Sequence, residues 1–194
     1  MNIKEMEENI IAEYSPMWVL NDRGHRVEHF SAVNKCGQYI NEKLDLGYNP
    51  KLILLFAYFH DLFAYSRNNH QELSATWVAT TDHPFVQELE ASEREWLAHA
   101  CREHRASYEG EYSCQFSELA AAADRGFPGR VEGMVQRAVM YRVDRGVVEQ
   151  EAYPGAVEHI KEKFGSGGYA KYPKLYTDAF GEQLAEQRKE VDAL

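Results

Sequence analysis

The chain has 194 residues, of which 44% are hydrophobic, with 31 acidic and 21 basic side chains and a formal net charge of -10. This length fits one domain with a sizeable core, and the ordinary content of charged and aromatic residues argues against wholesale disorder. The acidic balance excludes a general polyanion binder, because nucleic acids and anionic membranes favour a basic surface; a local basic pocket stays open.

The cysteines and the apolar segments indicate in which cellular compartment the protein is expected. Three cysteines, none in a Cys-x-x-Cys pair, cannot all be bridged within the chain, which favours a reducing environment. The N-terminal residues are acidic and lack the apolar core of a signal peptide. The longest apolar run, Leu52 to Phe59, has eight residues, far short of the roughly 20 that span a bilayer. We therefore expect a cytoplasmic protein with no membrane partner.

Hydrophobic spacing and helix-breaking residues predict an all-α chain, because no stretch alternates long enough to indicate a sheet. Residues 51–65 are apolar nearly all round, which is typical of a central buried helix. Ser15-Pro16 is expected to end the first helix, and Ser92 to Glu95 form a capping box that begins a later one. The predicted helices cover residues 3–14, 29–44, 51–65, 70–80, 92–104, 113–123, 130–145, 155–164 and 175–191.

We expect a single domain over residues 1–194, with a core of about 24–146 and a C-terminal helical extension of about 147–194. No shift in composition marks a second domain, and Gly165 to Gly168 is the one flexible spacer.

The chain has eight histidines, and four of them fall at inward-facing positions of the predicted helices. His29 lies on the apolar stripe of its helix, and His104 follows a core leucine by seven residues. His60 precedes Asp61 in the middle of the most hydrophobic helix, and His70 turns inward at the start of its own. Either these histidines are hydrogen-bonded core residues or they converge on a site.

Two aspartates favour the site. Asp61 lies in an apolar segment, where an ionised carboxylate needs a partner, and a metal ion is one such partner. Asp124 ends an alanine-rich helix, where its negative charge meets the unfavourable end of the helix dipole. A cation close to both would resolve the two problems. A buried hydrogen bond between His60 and Asp61 is the alternative.

Five short segments carry motifs in a fixed order: Gly24 to Val33, Leu55 to Leu62, His70 to Ala75, Ala100 to His104 and Ala122 to Arg125. They resemble, in that order, the opening His-x-x-x-Val helix, the His-Asp signature, two further histidine motifs and the closing Asp motif of the HD-domain metal-dependent phosphohydrolase superfamily. The C-terminal part, including His159 to Lys163, is similar to the tail of small HD hydrolases that act on nucleotides. The resemblance covers about residues 24–190 and implies an HD-type helical domain.

The resemblance implies a metal site. The protein ligands of one divalent ion would be His29, His60, Asp61 and Asp124. In binuclear members the residues that match His70 and His104 bind a second ion, with Asp61 bridging, and elsewhere they face the phosphate. Imidazole and carboxylate ligands suit a divalent transition metal, Mn²⁺, Fe²⁺, Co²⁺ or Ni²⁺, with Mg²⁺ as a further candidate. We therefore expect one or two ions.

The implied function is hydrolysis of a phosphoester or phosphoanhydride bond of a nucleotide, or of a related small phosphate compound, by a metal-activated water. Asp61, His70 and His104 are the implied catalytic residues. Cations that could hold the phosphate charge developing in the transition state are Arg67, Arg125 and Lys163. The expected partner is thus a small phosphorylated substrate, without general nucleic-acid binding, and a homo-oligomer is left open.

One departure from the family pattern keeps other functions open. Many nucleotide-cleaving relatives carry an acid in the turn after the signature, where this chain has Ala64 and Tyr65. Neither can act as a carboxylate base, so His70 and His104, or the activated water alone, would have to suffice. The alternatives are a di-iron oxygenase of the same fold and a degenerate HD domain that binds a nucleotide without turnover.

The remaining histidines receive other predictions. His25 is expected at the rim of the site, whereas His83, His99 and His159 are expected to be ordinary surface or structural residues. Asp144 repeats the Asp-Arg-Gly sequence of Asp124, but neighbouring arginines offer it ion pairs, so Asp124 is the preferred ligand.

Overall fold

A computed structural model describes residues 2–21, 24–66 and 68–194. The described residues form ten helices and no strand, which confirms the all-α prediction. The helices are α1 (Ile3–Trp18), α2 (Val27–Lys43), α3 (Pro50–Phe59), α4 (His70–Thr80), α5 (Pro84–Gln87), α6 (Ala91–Glu103), α7 (Gln115–Asp124), α8 (Val131–Val143), α9 (Glu149–Phe164) and α10 (Lys174–Asp192). None of the described helices is both long and apolar enough to cross a membrane.

The helices fall into two compact units. The first comprises residues 1–127 and 173–179, and the second comprises residues 128–172 and 180–194. The last of the three passages of the chain between them lies within α10, at Phe180, whose φ of -127° and ψ of 16° are not helical. The single domain expected over 1–194 stays a prediction.

Helix α3 is the centre of the first unit, where it contacts α1, α2, α6 and α7. Asn49 begins it by accepting a hydrogen bond from the backbone N–H of Lys51, and Pro50 occupies the first turn, where a missing N–H costs nothing. Every residue from Leu52 to Phe59 is buried, as the uniformly apolar sequence predicts.

The predicted C-terminal end of this helix is wrong. Helix α3 ends at Phe59 rather than at residue 65, and His60 is its C-terminal cap. The following residues form turns closed by hydrogen bonds from Leu62 N to Phe59 O and from Ala64 N to Asp61 O. Asp61 therefore leaves the helix, so its carboxylate is not restricted to one helical face.

Helix α1 is longer than expected, because Pro16 lies inside it instead of ending it. An internal proline costs about 3 kcal/mol, since it removes a helical hydrogen bond and crowds the preceding turn. The extension buries Trp18, which is 1% exposed and packs against Phe30 with the ring centroids 4.9 Å apart. Burial of this large side chain offsets the proline.

Close packing brings the site-bearing helices of the first unit together. Helix α2 packs on α3 and α7, and α4 packs on α6. At Gly37 of α2 an added Cβ would lie 2.8 Å from Ile53 Cγ2 and 3.3 Å from Ala123 Cβ, so α2, α3 and α7 approach closely there. The capping box of α6 involves Glu90 and Glu93, two residues before the one predicted at Ser92.

In the second unit α8 and α9 pack together along an apolar core. The buried members of this core are Val131, Met134, Val135, Ala156, Ile160 and Val191. In the glycine-rich spacer, the backbone N–H and the hydroxyl of Ser166 bond to the carboxylate of Asp192. This spacer is thus tied to the last helix.

Candidate metal centre

A first group of possible metal ligands lies in the first unit and consists of His29, His60 and Asp61. One ligand atom from each residue lies within 4.8 Å of the other two. The Nε2 atoms of His29 and His60 are 3.4 Å apart. Asp61 Oδ2 lies 3.3 Å from His60 Nε2 and 3.9 Å from His29 Nε2. The first group spans α2 and the end of α3, and its atoms could hold a metal ion.

The fourth predicted ligand, Asp124, reaches this group from the end of α7. Its Oδ1 lies 3.3 Å from His29 Nε2 and 3.5 Å from His60 Nε2. Asp144, the alternative with the same Asp-Arg-Gly sequence, is exposed at the end of α8 in the second unit. The structure therefore places Asp124 among the other predicted ligands.

Asp61 also belongs to a second group, made of Asp61, His70 and His104, whose ligand atoms are again within 4.8 Å of one another. Asp61 Oδ1 lies 3.2 Å from His70 Nε2 and 3.5 Å from His104 Nε2. All three residues are buried. The two oxygens of one carboxylate thus face the two groups separately, which is the arrangement expected of a bridging ligand.

The charges of the cluster depend on one another. Burial would lower the pKa of His60, but the charges of Asp61 and Asp124, and hydrogen bonds to them, raise it to about 10. Burial would likewise raise the pKa of Asp61, but His60, His104 and His70 hold it well below its ordinary value. Burial opposes ionisation of Asp124 too, and hydrogen bonds from His29 and His60 keep its pKa low. Without a metal ion, protonated His60 thus supplies positive charge beside the two carboxylates.

Backbone carbonyls fix the orientation of two imidazoles. His60 Nδ1 lies 3.0 Å from Ala57 O and 3.2 Å from Phe56 O, and His104 Nδ1 lies 2.7 Å from Cys101 O. Because a carbonyl oxygen only accepts, Nδ1 carries the hydrogen in both rings, and in the neutral ring Nε2 keeps its lone pair. This is the outer hydrogen bond that metal-binding histidines usually make.

The unpaired polar atoms of the cluster also fit a metal ion. Asp61 Oδ1 is buried and accepts no hydrogen bond from the described residues, although His70 and His104 are close to it. Leaving a buried carboxylate oxygen unsatisfied is costly, and a cation at that position would remove the cost. Imidazole nitrogen and carboxylate oxygen together suit a transition ion better than Ca²⁺, which takes oxygen ligands.

His70 differs from His60 and His104, because its Nδ1 is buried and has no hydrogen-bond partner among the described residues. No acceptor in that part of the chain fixes its tautomer, so either ring nitrogen can carry the single proton of the neutral ring.

Two positioning residues were missed by the sequence reasoning. Asn21 is buried, and its Nδ2 donates to the backbone oxygens of His25 at 3.0 Å and Asp61 at 3.2 Å, while its Oδ1 accepts from Tyr65 N at 2.9 Å. Asn21 therefore holds the turn that presents Asp61. The one signal in the sequence is a polar residue directly after the apolar Trp-Val-Leu run.

The second missed residue is Glu103, which directly precedes His104 and is buried. Its carboxylate accepts a hydrogen bond from the backbone N–H of Ser113 at 2.9 Å and another from the Ser113 hydroxyl. These bonds tie the loop after α6 to the end of that helix, next to His104. No pattern in the sequence distinguishes Glu103 from the exposed glutamates of the same helix.

The predicted cations differ in their placement. Arg125 Nη1 lies 3.7 Å from Asp124 Oδ2 and donates to His104 O at 3.2 Å, so it borders the cluster. Arg67 lies outside the described residues. Lys163 lies on α9 of the second unit, with its Nζ 5.1 Å from the ring centroid of Phe164.

The other histidines are placed as follows. His25 Nε2 lies 3.7 Å from Asp61 Oδ2 and its side chain is partly exposed, consistent with a rim position. His83 is buried and caps α5 by accepting from Phe85 N, and His99 is partly exposed beside glutamates of α6. His159 lies on α9.

In the turn after the His-Asp signature, Ala64 is buried and Tyr65 is half exposed. These two residues supply no carboxylate to the site.

Comparisons of the chain with family models, with curated proteins and with solved structures found no significant match. The superfamily and the roles of the individual residues therefore stay predictions from the motifs, next to the geometry described above.

Proposed function

We propose that the protein is a metal-dependent phosphohydrolase of the HD type, acting on a nucleotide or a related small phosphate compound. The observation that carries the proposal is the shared carboxylate of Asp61. One of its oxygens faces His29 and His60, and the other faces His70 and His104. The order of the motifs along the chain supports the same assignment.

In this proposal His29, His60, Asp61 and Asp124 hold one divalent ion, and His70 and His104 hold a second ion or face the phosphate. The chemistry that such ions supply is polarisation of a phosphoryl oxygen and activation of a water as the nucleophile. The hydrogen bonds on the Nδ1 atoms of His60 and His104 keep both Nε2 lone pairs directed at the ligand position.

Arg125 is the cation best placed to hold the substrate phosphate. Its guanidinium borders the cluster, and its planar donors match phosphate oxygens in pairs. Charge that develops on the phosphoryl oxygens would be stabilised there without further rearrangement. Arg67 and Lys163 remain candidates from the sequence for the same role.

When one ion is bound and His70 holds none, His70 is the residue we propose for proton transfer, since the turn after the signature supplies no acid. Its Nε2 faces Asp61 Oδ1, and no described residue offers its Nδ1 an acceptor. The ring can therefore accept a proton at one nitrogen while it donates from the other. His104 lacks this freedom, because Cys101 O fixes its Nδ1 hydrogen.

The experiment is phosphate release from a panel of nucleotides by protein that has been stripped of metal with a chelator and then reloaded. We expect activity to vanish on stripping and to return with Mn²⁺ or Co²⁺. Asp124→Asn should abolish the recovery, whereas Asp144→Asn, which changes the same Asp-Arg-Gly sequence at an exposed site, should not. Nucleotide binding that persists without turnover under every ion would instead indicate the degenerate HD domain.

A di-iron oxygenase is the second candidate. It is favoured by the two groups joined through Asp61, since a carboxylate shared between two sets of ligands could hold a pair of irons. Oxygen consumption by the iron-loaded protein, together with two irons per chain, would favour it. Tight binding of a single redox-inert ion with phosphate release would exclude it.

A further inference from the structure

The second unit contains a basic cavity that the proposed function does not use. It has a volume of about 610 Å³ and lies between α8, α9 and their connection. Its polar lining consists of Arg137, Tyr141, Arg142, Arg145 and His159. None of the described residues that line it is acidic, although the chain as a whole has a formal charge of -10.

The three arginines of this cavity lack ion-pair partners among the described residues. Two described arginines outside the cavity do have such partners: Arg102 pairs with Glu72 at 2.9 Å and Arg125 with Asp124 at 3.7 Å. Arg137 and Arg145 lie eight positions apart on one stripe of α8 and its continuation, with Tyr141 between them. Like charges on one helical stripe repel, and a bound anion would relieve that repulsion.

Two of the guanidinium groups are held in place by neighbours. The Arg145 guanidinium stacks on the Tyr141 ring, 4.1 Å from its centroid. Arg142 packs against Gly155 of α9 so closely that a Cβ at Gly155 would lie 2.7 Å from its Nη1 and 2.9 Å from its Cζ. A fixed guanidinium loses less side-chain entropy when it binds an anion, so this arrangement favours binding.

We propose that this cavity binds a small phosphate-bearing molecule. Guanidinium donors recognise phosphate oxygens in pairs, and the His159 imidazole adds a further N–H donor. Ala138, Tyr141 and Val147 supply apolar surface for the part of the ligand that carries no charge. The volume fits a small molecule, since ligand pockets usually measure about 300 to 1,000 Å³.

The test is isothermal titration calorimetry with inorganic pyrophosphate at low salt, in the presence of a chelator and in the Asp61→Asn background. These conditions remove the metal centre, so failure of the proposed hydrolase and failure of this site are distinguishable. We expect pyrophosphate to bind, and Arg142→Gln to weaken binding at least tenfold, as loss of a charge-assisted hydrogen bond predicts. Arg130→Gln, which removes the same charge outside the cavity lining, should leave binding within about twofold.

Gly155→Ala is the charge-neutral variant. Its new methyl group should displace the Arg142 guanidinium and weaken binding several-fold, while the far-ultraviolet circular dichroism and the melting temperature stay at or above those of the parent. The proposal is overturned if pyrophosphate does not bind the parent, or if it binds Arg142→Gln and Arg130→Gln equally. Binding of an oligonucleotide without any binding of pyrophosphate would also overturn it and would indicate a nucleic-acid surface.

Discussion

At the scale of single residues, Asp61 determines the geometry of the candidate centre. It is 2% exposed, and its two oxygens face histidines from α2, from the end of α3, from α4 and from the end of α6. Its importance could be predicted from the sequence, because an aspartate in an apolar run needs a buried partner. The hydrogen bonds by which Asn21 holds the turn at Asp61 could not be predicted, since they depend on backbone oxygens that the fold brings together.

Replacing Asn21 tests whether the turn around Asp61 must be held for metal binding. Asn21→Ala removes the hydrogen bonds to His25 O, Asp61 O and Tyr65 N, so we expect metal affinity to fall about 10- to 100-fold, as for other outer-shell partners. Asn41→Ala is the matched control, because the Asn41 amide also forms hydrogen bonds with the backbone of a loop, at Tyr48. That variant should lose stability but keep its metal affinity, as measured by competition with a chelator. Equal affinities in the two variants would contradict the role of Asn21.

Protonation of His60 should couple metal binding to pH. In the metal-free protein burial would lower the pKa of His60, but the neighbouring aspartates raise it to about 10 from 6.5. The stabilisation that this proton gives the metal-free fold is therefore complete below pH 6.5 and is lost as the pH rises through about 10. A metal ion binds Nε2 only after the proton has left.

The apparent affinity for Co²⁺ should therefore rise between about pH 6 and 8.5, while the metal-free protein becomes less stable as the pH increases above about 7. Chelator competition and urea unfolding measure the two quantities. An affinity that does not change with pH would mean that no proton leaves a ligand on binding.

At the scale of the elements, close approach of helices decides where the ligands meet. Gly37→Ala should lower the free energy of unfolding by about 1 kcal/mol, because overpacking against Ile53 and Ala123 exceeds the gain in helix propensity. Gly133→Ala on α8 is the matched control, since its nearest new contact would be an ordinary 3.7 Å to Arg137. It should be neutral or slightly stabilising in urea unfolding. A stable Gly37→Ala variant would show that the helices can separate at little cost.

The positions of the helices could largely be predicted from the sequence, and their ends could not. Periodicity located α2, which has one apolar side, and the capping and helix-breaking residues on either side located α4. In residues 51–65 nearly every side chain is apolar, so periodicity carried no information on the end at Phe59. At Pro16 the burial of Trp18 outweighs the tendency of proline to end a helix. Because that burial depends on tertiary packing, the neighbouring sequence does not reveal it.

At the scale of the whole molecule, the net charge of -10 hides an uneven distribution. Carboxylates converge at the candidate centre in the first unit, and arginines converge in the cavity of the second. Asp61 and Asp124 are distant in sequence, whereas Arg137, Arg142 and Arg145 lie in one short segment; composition alone predicted neither place. The motif order predicted the first, whereas the second required the packing of α8 on α9.

Metal binding to the folded state should stabilise the chain. A free ion concentration 100 times the dissociation constant adds about 2.7 kcal/mol to the free energy of unfolding. We expect thermal unfolding to shift to higher temperature with Mn²⁺ or Co²⁺ in the wild type and in Asp144→Asn, but not in Asp61→Asn. An equal shift in all three proteins would place the ion elsewhere.

The most direct measurement of the central claim is the metal content and the reloaded phosphatase activity of Asp61→Asn beside the wild type and Asp144→Asn. We predict one or two ions per chain with phosphate release in the wild type and in Asp144→Asn, and loss of both in folded Asp61→Asn. Retention of metal and activity by Asp61→Asn would contradict the centre described here.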